Sequence, residues 1–288
     1  MAQCIQCGRT LPGFTFGRKI CVWCKQHEAA QRGEEVKYRP PMATPWQRGG
    51  AMPMIVTQGL VGINLAVFIG MALSGASVMG PEGETLLAWG ANFGPYTLGG
   101  QWWRLLTSVF VHIGFLHLAF NLWCLWSLGE MAERLYGHAT FACIYLLCGI
   151  SGSLGSLWWH RFPALSAGAS GAIFGIAGAV IASMKLGEVR SVGFCPGTIQ
   201  SLIGFVGFNV AFGLISGTID NACHFGGLAA GVVLGALIAK FAPEPRPMPR
   251  IAILVLVAAL LAGGFFVLRQ TYPYRMMHSV GQIDDDSE

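Results

Sequence analysis

Nucleophilic hydrolysis needs a hydroxyl or thiol beside a base that can take its proton. The chain offers Ser170 within Gly168-Ala169-Ser170-Gly171 and His224 within His224-Phe225-Gly226-Gly227, each at the head of a long apolar run. An ionisable side chain inside such a run is costly, so its default reading is functional. A third apolar run carries His117 and Asn121, an i, i+4 pair that shares one helix face. Both can donate hydrogen bonds, which is what an oxyanion hole requires. The first N–H groups of a helix beginning near Ser170 lack internal partners and can serve the same charge. Each residue alone has a plainer account. A serine in a Gly-rich membrane helix bonds back to its own backbone. A lone histidine is a structural group or a proton relay, and a lone asparagine joins helices. His112 and the Trp103-Arg104 pair read as interfacial. Four polar residues on three helices favour chemistry over the plainer accounts. Ala172 fills the last position of G-x-S-x-G, so a soluble α/β-hydrolase is not indicated.

The elements that must position these residues are membrane helices. The 288 residues are 53% hydrophobic and 11% charged, where a soluble domain carries about 25% charged residues. A globular enzyme is excluded on that composition. The pattern predicts seven spans, at 54–73, 112–131, 140–158, 169–184, 199–216, 222–240 and 251–268, each near the ~20 residues that cross a bilayer. No secretory signal peptide is expected, because the first apolar run begins near Met54. With the N-terminus inside, 14 of the 18 Lys and Arg fall in inner segments, and the acidic tail Asp284-Asp285-Asp286 ends outside. The expected location is a plasma (inner) membrane. The loop at 74–111 is punctuated by Trp89, Phe93, Tyr96, Trp102 and Trp103, which fits either a loop lying in the outer leaflet or an ordinary anchored loop.

In this topology spans two, four and six run in the same direction. Ser170 lies 15 residues before Lys185 and His224 lies 16 before Lys240, so both sit roughly 22–24 Å above the inner boundary. His117 and Asn121 count as somewhat deeper. Gly227, Gly231 and Gly235 share a stripe with His224, and Gly171, Gly175 and Gly178 form a small face beside Ser170. Such faces let membrane helices approach backbone to backbone. His224 must be neutral to accept the serine proton, so activity is expected to fall in acid. Asp220 reads as a residue of the outer surface. A solute transporter is the weaker alternative: no internal repeat is evident, and the polar cluster lies away from the midplane.

Cys4-x2-Cys7 and Cys21-x2-Cys24, separated by 13 residues, have the pattern of a structural zinc ribbon. A cytoplasmic location argues against disulfides. Four thiolates leave no open metal position, so this zinc would be structural. The module could bind a cytoplasmic protein or anionic lipid. Nucleic acid is disfavoured, since the positive charges are few and no recognition helix is evident. The remaining cysteines read as small hydrophobes.

With these residues in hand, the chain resembles the rhomboid intramembrane serine proteases. The resemblance rests on Trp103-Arg104, His112-x4-His117-x3-Asn121, Glu133 before Arg134-Leu135-Tyr136-Gly137, Gly168-Ala169-Ser170-Gly171, and His224-x2-Gly227-x3-Gly231. It covers residues 54–241. It implies an all-α integral membrane protein with a six-helix core, to which a seventh helix and the zinc-ribbon-like module are added. The expected division is 1–40 for that module, 41–53 for a linker, 54–241 for the core and 242–288 for the seventh helix and acidic tail. The resemblance further implies Ser170 as nucleophile, His224 as base with no third acid, and an oxyanion site of His117, Asn121 and the Ser170 N–H. Catalysis would need no cofactor. The substrate would be a transmembrane segment of another protein within the lipid bilayer, cut near its outer end after a small residue. The fifth span would be a lateral gate and the 217–223 loop a cap. A non-proteolytic relative that binds transmembrane segments is the competing reading, and the presence of both Ser170 and His224 weighs against it.

Overall fold

Long apolar runs without internal proline can satisfy their backbone only as helices when water is excluded. A computed structural model bears this out. It describes residues 3–8, 19–33, 53–160, 164–186, 197–216, 219–242 and 247–271. Most of the 41–53 linker, the acidic tail and positions 217–218 of the expected cap fall outside them. The N-terminal module contains α1 (Val22–Gln31). Among the described residues seven longer helices follow, each overlapping an expected span: α2 (Ile55–Leu73), α6 (Phe115–Tyr136), α7 (His138–Trp159), α8 (Ser170–Leu186), α9 (Thr198–Ser216), α10 (Asn221–Phe241) and α11 (Pro247–Thr271). Among the described residues, α2, α7, α9, α10 and α11 are long and apolar enough to cross a membrane. The other two differ for visible reasons. Helix α8 has 17 residues, and α6 carries Glu130, Glu133 and Arg134 in its last turns.

The centre of the bundle is α8. Gly, Ala and short β-branched residues leave almost no side chain protruding from it, so α7, α10 and α6 close around it. From Gly171 to Val180 every residue is buried. Helix α9 is the opposite case: Phe208, Phe212, Leu214 and Ile215 are all exposed.

Glu133 explains why α2 sits where it does. Its carboxylate, on α6, accepts from the backbone N–H of Val56 and Thr57 at 2.8 Å each and from the Thr57 hydroxyl at 2.6 Å. These are orphan donors of the first turn of α2, capped here by a side chain from another helix. His138 Nδ1 lies 2.5 Å from the same carboxylate.

Between α2 and α6 the chain folds into a small structure of its own, with α3 (Gly83–Ala88), α4 (Gly94–Leu98) and α5 (Arg104–Thr107). It adds one departure from the all-α expectation: β1 (Asn92–Phe93) pairs antiparallel with β2 (Leu165–Ser166) in the register Asn92↔Ser166. The pairing ties this segment to the approach of α8. Arg104 corrects its interfacial reading. It is buried, and its guanidinium donates to the carbonyls of Leu87 and Ala91 and to Gln101 Oε1. Leu87 lies in the last turn of α3 and Ala91 just beyond it, so the charge is met inside this segment. Trp102 and Trp103 remain exposed.

Candidate active site

Ser170 opens α8. The entry is shaped by Gly168, at φ +127°, where glycine is the residue that adopts this conformation without strain. Its N–H donates to the Ser108 carbonyl at 2.9 Å. Ser170 itself is half-buried between buried Ala169 and Gly171. As the first residue of the helix, it lies beside backbone N–H groups with no intrahelical acceptor.

His224 lies in the first turn of α10. Asp220 caps that helix, accepting from the Cys223 N–H at 3.0 Å. Asp220 is thus half-buried and structural, not a free surface residue, and it pairs with His160 Nε2 at 3.3 Å. The His224 ring stacks on Phe174, with centroids 4.1 Å apart and planes 12° apart. Phe174 follows Ser170 by one turn, so His224 lies over the face of α8 that carries Ser170. The ring is 5% exposed, and its Nδ1 is a buried atom without a protein hydrogen bond.

The glycine stripes account for this approach. A Cβ built on Gly227 would lie 1.9 Å from the Gly171 carbonyl oxygen, and one on Gly231 would lie 1.9 Å from that of Gly175. Only backbone against backbone fits there. Gly171 and Gly227 are one residue past Ser170 and three past His224.

His117 reaches the site from α6. A Cβ at Gly168 would fall 2.5 Å from His117 Cε1, so the ring is level with the approach to Ser170 and not deeper as expected. Counting inward from Glu130 misplaced it, because α6 continues to Tyr136. The Ile113 N–H donates to His117 Nδ1 at 3.4 Å, which leaves the proton on Nε2, where it can be donated. Asn121 is buried. One of its amide hydrogens bonds the His117 carbonyl at 2.8 Å, and the other is not used there.

Two further neighbours of the site were not given a place in it from the residues alone. His112 is 0% exposed, not interfacial; its ring lies 5.3 Å from that of His117. Phe174 was legible as the residue one turn after Ser170, but an aromatic in an apolar run carries no distinguishing mark.

At the N-terminus, Cys4, Cys7, Cys21 and Cys24 place their sulfurs within 4.8 Å of one another. Individual S···S distances are 3.5 Å for Cys7–Cys21 and Cys21–Cys24, and 3.8 Å for Cys4–Cys24. Zn–S bonds of ~2.3 Å in a tetrahedron imply sulfur separations of about 3.8 Å, so the cluster fits that ion. The Cys21 N–H donates to Cys4 Sγ at 3.1 Å, the largest of several hydrogen bonds that, against burial, lower the Cys4 thiol to about 6.

Comparison with known proteins identifies the family of the chain. The model of the rhomboid domain matches residues 99–241. A protein named rhomboid protease AarA, from Providencia stuartii, is 31% identical over 237 residues, covering 74% of this chain and 81% of that one. One named rhomboid protease GluP, from Bacillus subtilis (strain 168), is 39% identical over 181 residues. That match covers 62% of this chain and 34% of the Bacillus protein, so the chain spans about a third of that relative. Rhomboid-like protease 1 of Toxoplasma gondii is 36% identical over 162 residues, 56% of this chain and 55% of its own. The chain belongs to the rhomboid family and is a multi-pass membrane protein.

Proposed function

We propose that the chain is an intramembrane serine endopeptidase that cuts transmembrane segments of other proteins near their outer end, after small residues. The observation that carries this reading is the backbone contact of α8 and α10 at Gly171 and Gly227, with the His224 ring laid over Phe174 on the Ser170 face. In the proposed reaction His224 takes the proton of Ser170 Oγ as the oxygen bonds to the scissile carbonyl carbon. The resulting oxyanion is held by His117 Nε2–H, the free Asn121 hydrogen and the Ser170 N–H. His224 then passes the proton to the leaving amine as the C–N bond breaks, and water hydrolyses the acyl-enzyme by the same route in reverse. No third acid is assigned, since Asp220 is committed to capping α10 and pairing His160.

In this reading α2 and α6 through α11 all cross the membrane, with the N-terminus cytoplasmic and the C-terminus outside. Helix α9, whose aromatic face is exposed, is the lateral gate, and the segment at 217–223, whose last three residues open α10, is the cap. The four N-terminal cysteines hold a structural zinc, and their module faces a cytoplasmic protein partner.

The test is co-expression of the chain, or its Ser170→Ala variant, with a panel of reporters carrying helix-destabilised transmembrane segments. Cleavage by the wild type alone, with fluorophosphonate labelling lost in the variant, is the expected result. Equal cleavage by both, or no labelling of the wild type, would overturn the reading and favour a non-proteolytic binder of transmembrane segments.

A further inference from the structure

The rhomboid domain match ends at residue 241, and α11 lies beyond it. Read as an added span, α11 has no stated task. Its first turn carries Arg250, a residue that charge counting assigns to an inner loop, yet the side chain is 8% exposed. Its NH1 donates to the Tyr136 carbonyl at 2.7 Å and its Nε to the Ala242 carbonyl at 3.3 Å. Tyr136 is the last residue of α6, and Ala242 directly follows α10. Carbonyls at helix C-termini lack internal donors and carry the negative end of the dipole. One guanidinium, whose donors form a rigid fork, therefore closes two helix ends at once. The bonding continues inward. The Tyr136 hydroxyl lies 2.8 Å from Ser183 Oγ of α8, and Ser183 Oγ donates to the Gly235 carbonyl of α10 at 2.9 Å.

We propose that Arg250 is a positioning residue: with Tyr136 and Ser183 it forms a polar clasp at the inner ends of α6, α8 and α10, and so sets the axial register of the helices that carry His117, Ser170 and His224. The proposal rests on the reading of those residues as the reacting groups. The lengths support it. His117 is 19 residues from Tyr136, and His224 is 18 from Ala242, so both side chains stand roughly 27–29 Å above a common anchor. A helix is stiff along its axis, and a shift at the anchor reaches the site undiminished. The far end of α11 is held too, with Leu268 packed among Leu98, Leu105 and Leu157. The seventh helix is thus a brace from the inner clasp to the outer segment, and not an independent anchor.

The test uses the full chain in liposomes as wild type, Arg250→Gln, Arg250→Lys and Val257→Ala. Val257 is buried on α11 but outside the clasp, so its variant controls for loss of stability. Cleavage is measured well below every unfolding midpoint. Arg250→Gln is expected to lower kcat about 10- to 100-fold, with KM near the wild-type value, because misplacement of about 1 Å has that effect. Arg250→Lys, which keeps the cation but not the fork, should recover only part of it, and Val257→Ala should keep wild-type kcat. Hydrogen exchange gives a readout that does not need the reaction: Arg250→Gln should raise exchange severalfold in the first turns of α6 and α10. Wild-type kcat in Arg250→Gln, an equal loss in Val257→Ala, or exchange that rises in α11 alone would overturn the proposal. Failure of the wild type to react with fluorophosphonate would instead count against the protease reading, with the exchange result still deciding the clasp.

Discussion

The sharpest consequence of the α8–α10 contact is a gradient along the glycine stripe. A Cβ at Gly227 would lie 1.9 Å from the Gly171 oxygen, and one at Gly235 would lie 2.2 Å from the Ala179 oxygen. Close C···O contacts are about 3.3 Å, so Gly227→Ala must open the helices by about 1.4 Å and Gly235→Ala by about 1.1 Å. The obstacle is backbone in both cases, so no side chain can turn aside. Each substitution should destabilise the fold by about 1–3 kcal/mol, as overpacking does. Their effects on the reaction should differ far more. Gly227 is one turn from His224, whereas Gly235 is eight residues, or about 12 Å, further inward. Opening at Gly227 pulls His224 off the Ser170 face; opening at Gly235 leaves the Gly227 contact as a pivot. Gly227→Ala should therefore cost about 100-fold in kcat/KM, and Gly235→Ala about tenfold or less. Reporter cleavage and fluorophosphonate labelling, both at a temperature where unfolding curves show each variant folded, measure this. Gly227→Ala within a few-fold of wild type, or Gly235→Ala equally impaired, would refute the reasoning.

Glu133→Gln turns an amide donor toward the donors of α2 and removes two charge-assisted bonds; it should lower unfolding stability by about 2–4 kcal/mol, read from denaturation in mixed micelles. Asn121→Ala should reduce kcat by about 10²- to 10³-fold if the side chain holds the oxyanion, with fluorophosphonate labelling slowed in parallel. Cleavage should fall about tenfold per pH unit on the acid side, since protonated His224 cannot accept the serine proton; a profile flat into strong acid would contradict its role as base. The full chain should carry one zinc ion, lost on treatment with a strong chelator and absent from a Cys4→Ser, Cys21→Ser double variant, as elemental analysis of the purified protein would show.

The helices were legible because apolarity and length alone specify them. The close approach of α8 and α10 was legible because glycine at i, i+4 has one obvious use in a membrane. Depth was read less well. A charge marks the end of a span only if it stands at the helix end and faces solvent: α6 runs on past Glu130 to Tyr136, and Glu133 and Arg250 turn inward, one capping α2 and the other closing α6 and α10. The same reason hid Arg104. Its partners are the Leu87 and Ala91 carbonyls and Gln101 Oε1 within the 74–114 segment, a structure whose pairing with Leu165–Ser166 spans more than seventy residues and leaves no periodic trace. His112 was misread because a histidine beside an apolar run looks the same whether it faces the interface or the core.

Polar groups are distributed unequally along the bundle. Where α6 and α10 finish, Glu133, Tyr136, Ser183 and Arg250 are buried, and all four are hydrogen-bonded to neighbouring helices. Where α8 and α10 begin, the buried His112 Nε2, Asp220 Oδ2, Asn221 Oδ1 and His224 Nδ1 have no hydrogen-bond partner, and Asn64 Oδ1 on α2 is one further case. An unpartnered buried polar atom costs about 1–3 kcal/mol, and native folds keep few of them unless they serve a purpose. On the proposed reading these groups move a proton, which requires that they are not already committed to one another. They can be held apart only if the helices that carry them are fixed elsewhere. In the clasp proposed above, the hydrogen-bonded end of the bundle supplies that fixing, and the glycine contacts of α8 and α10 carry it to Ser170 and His224.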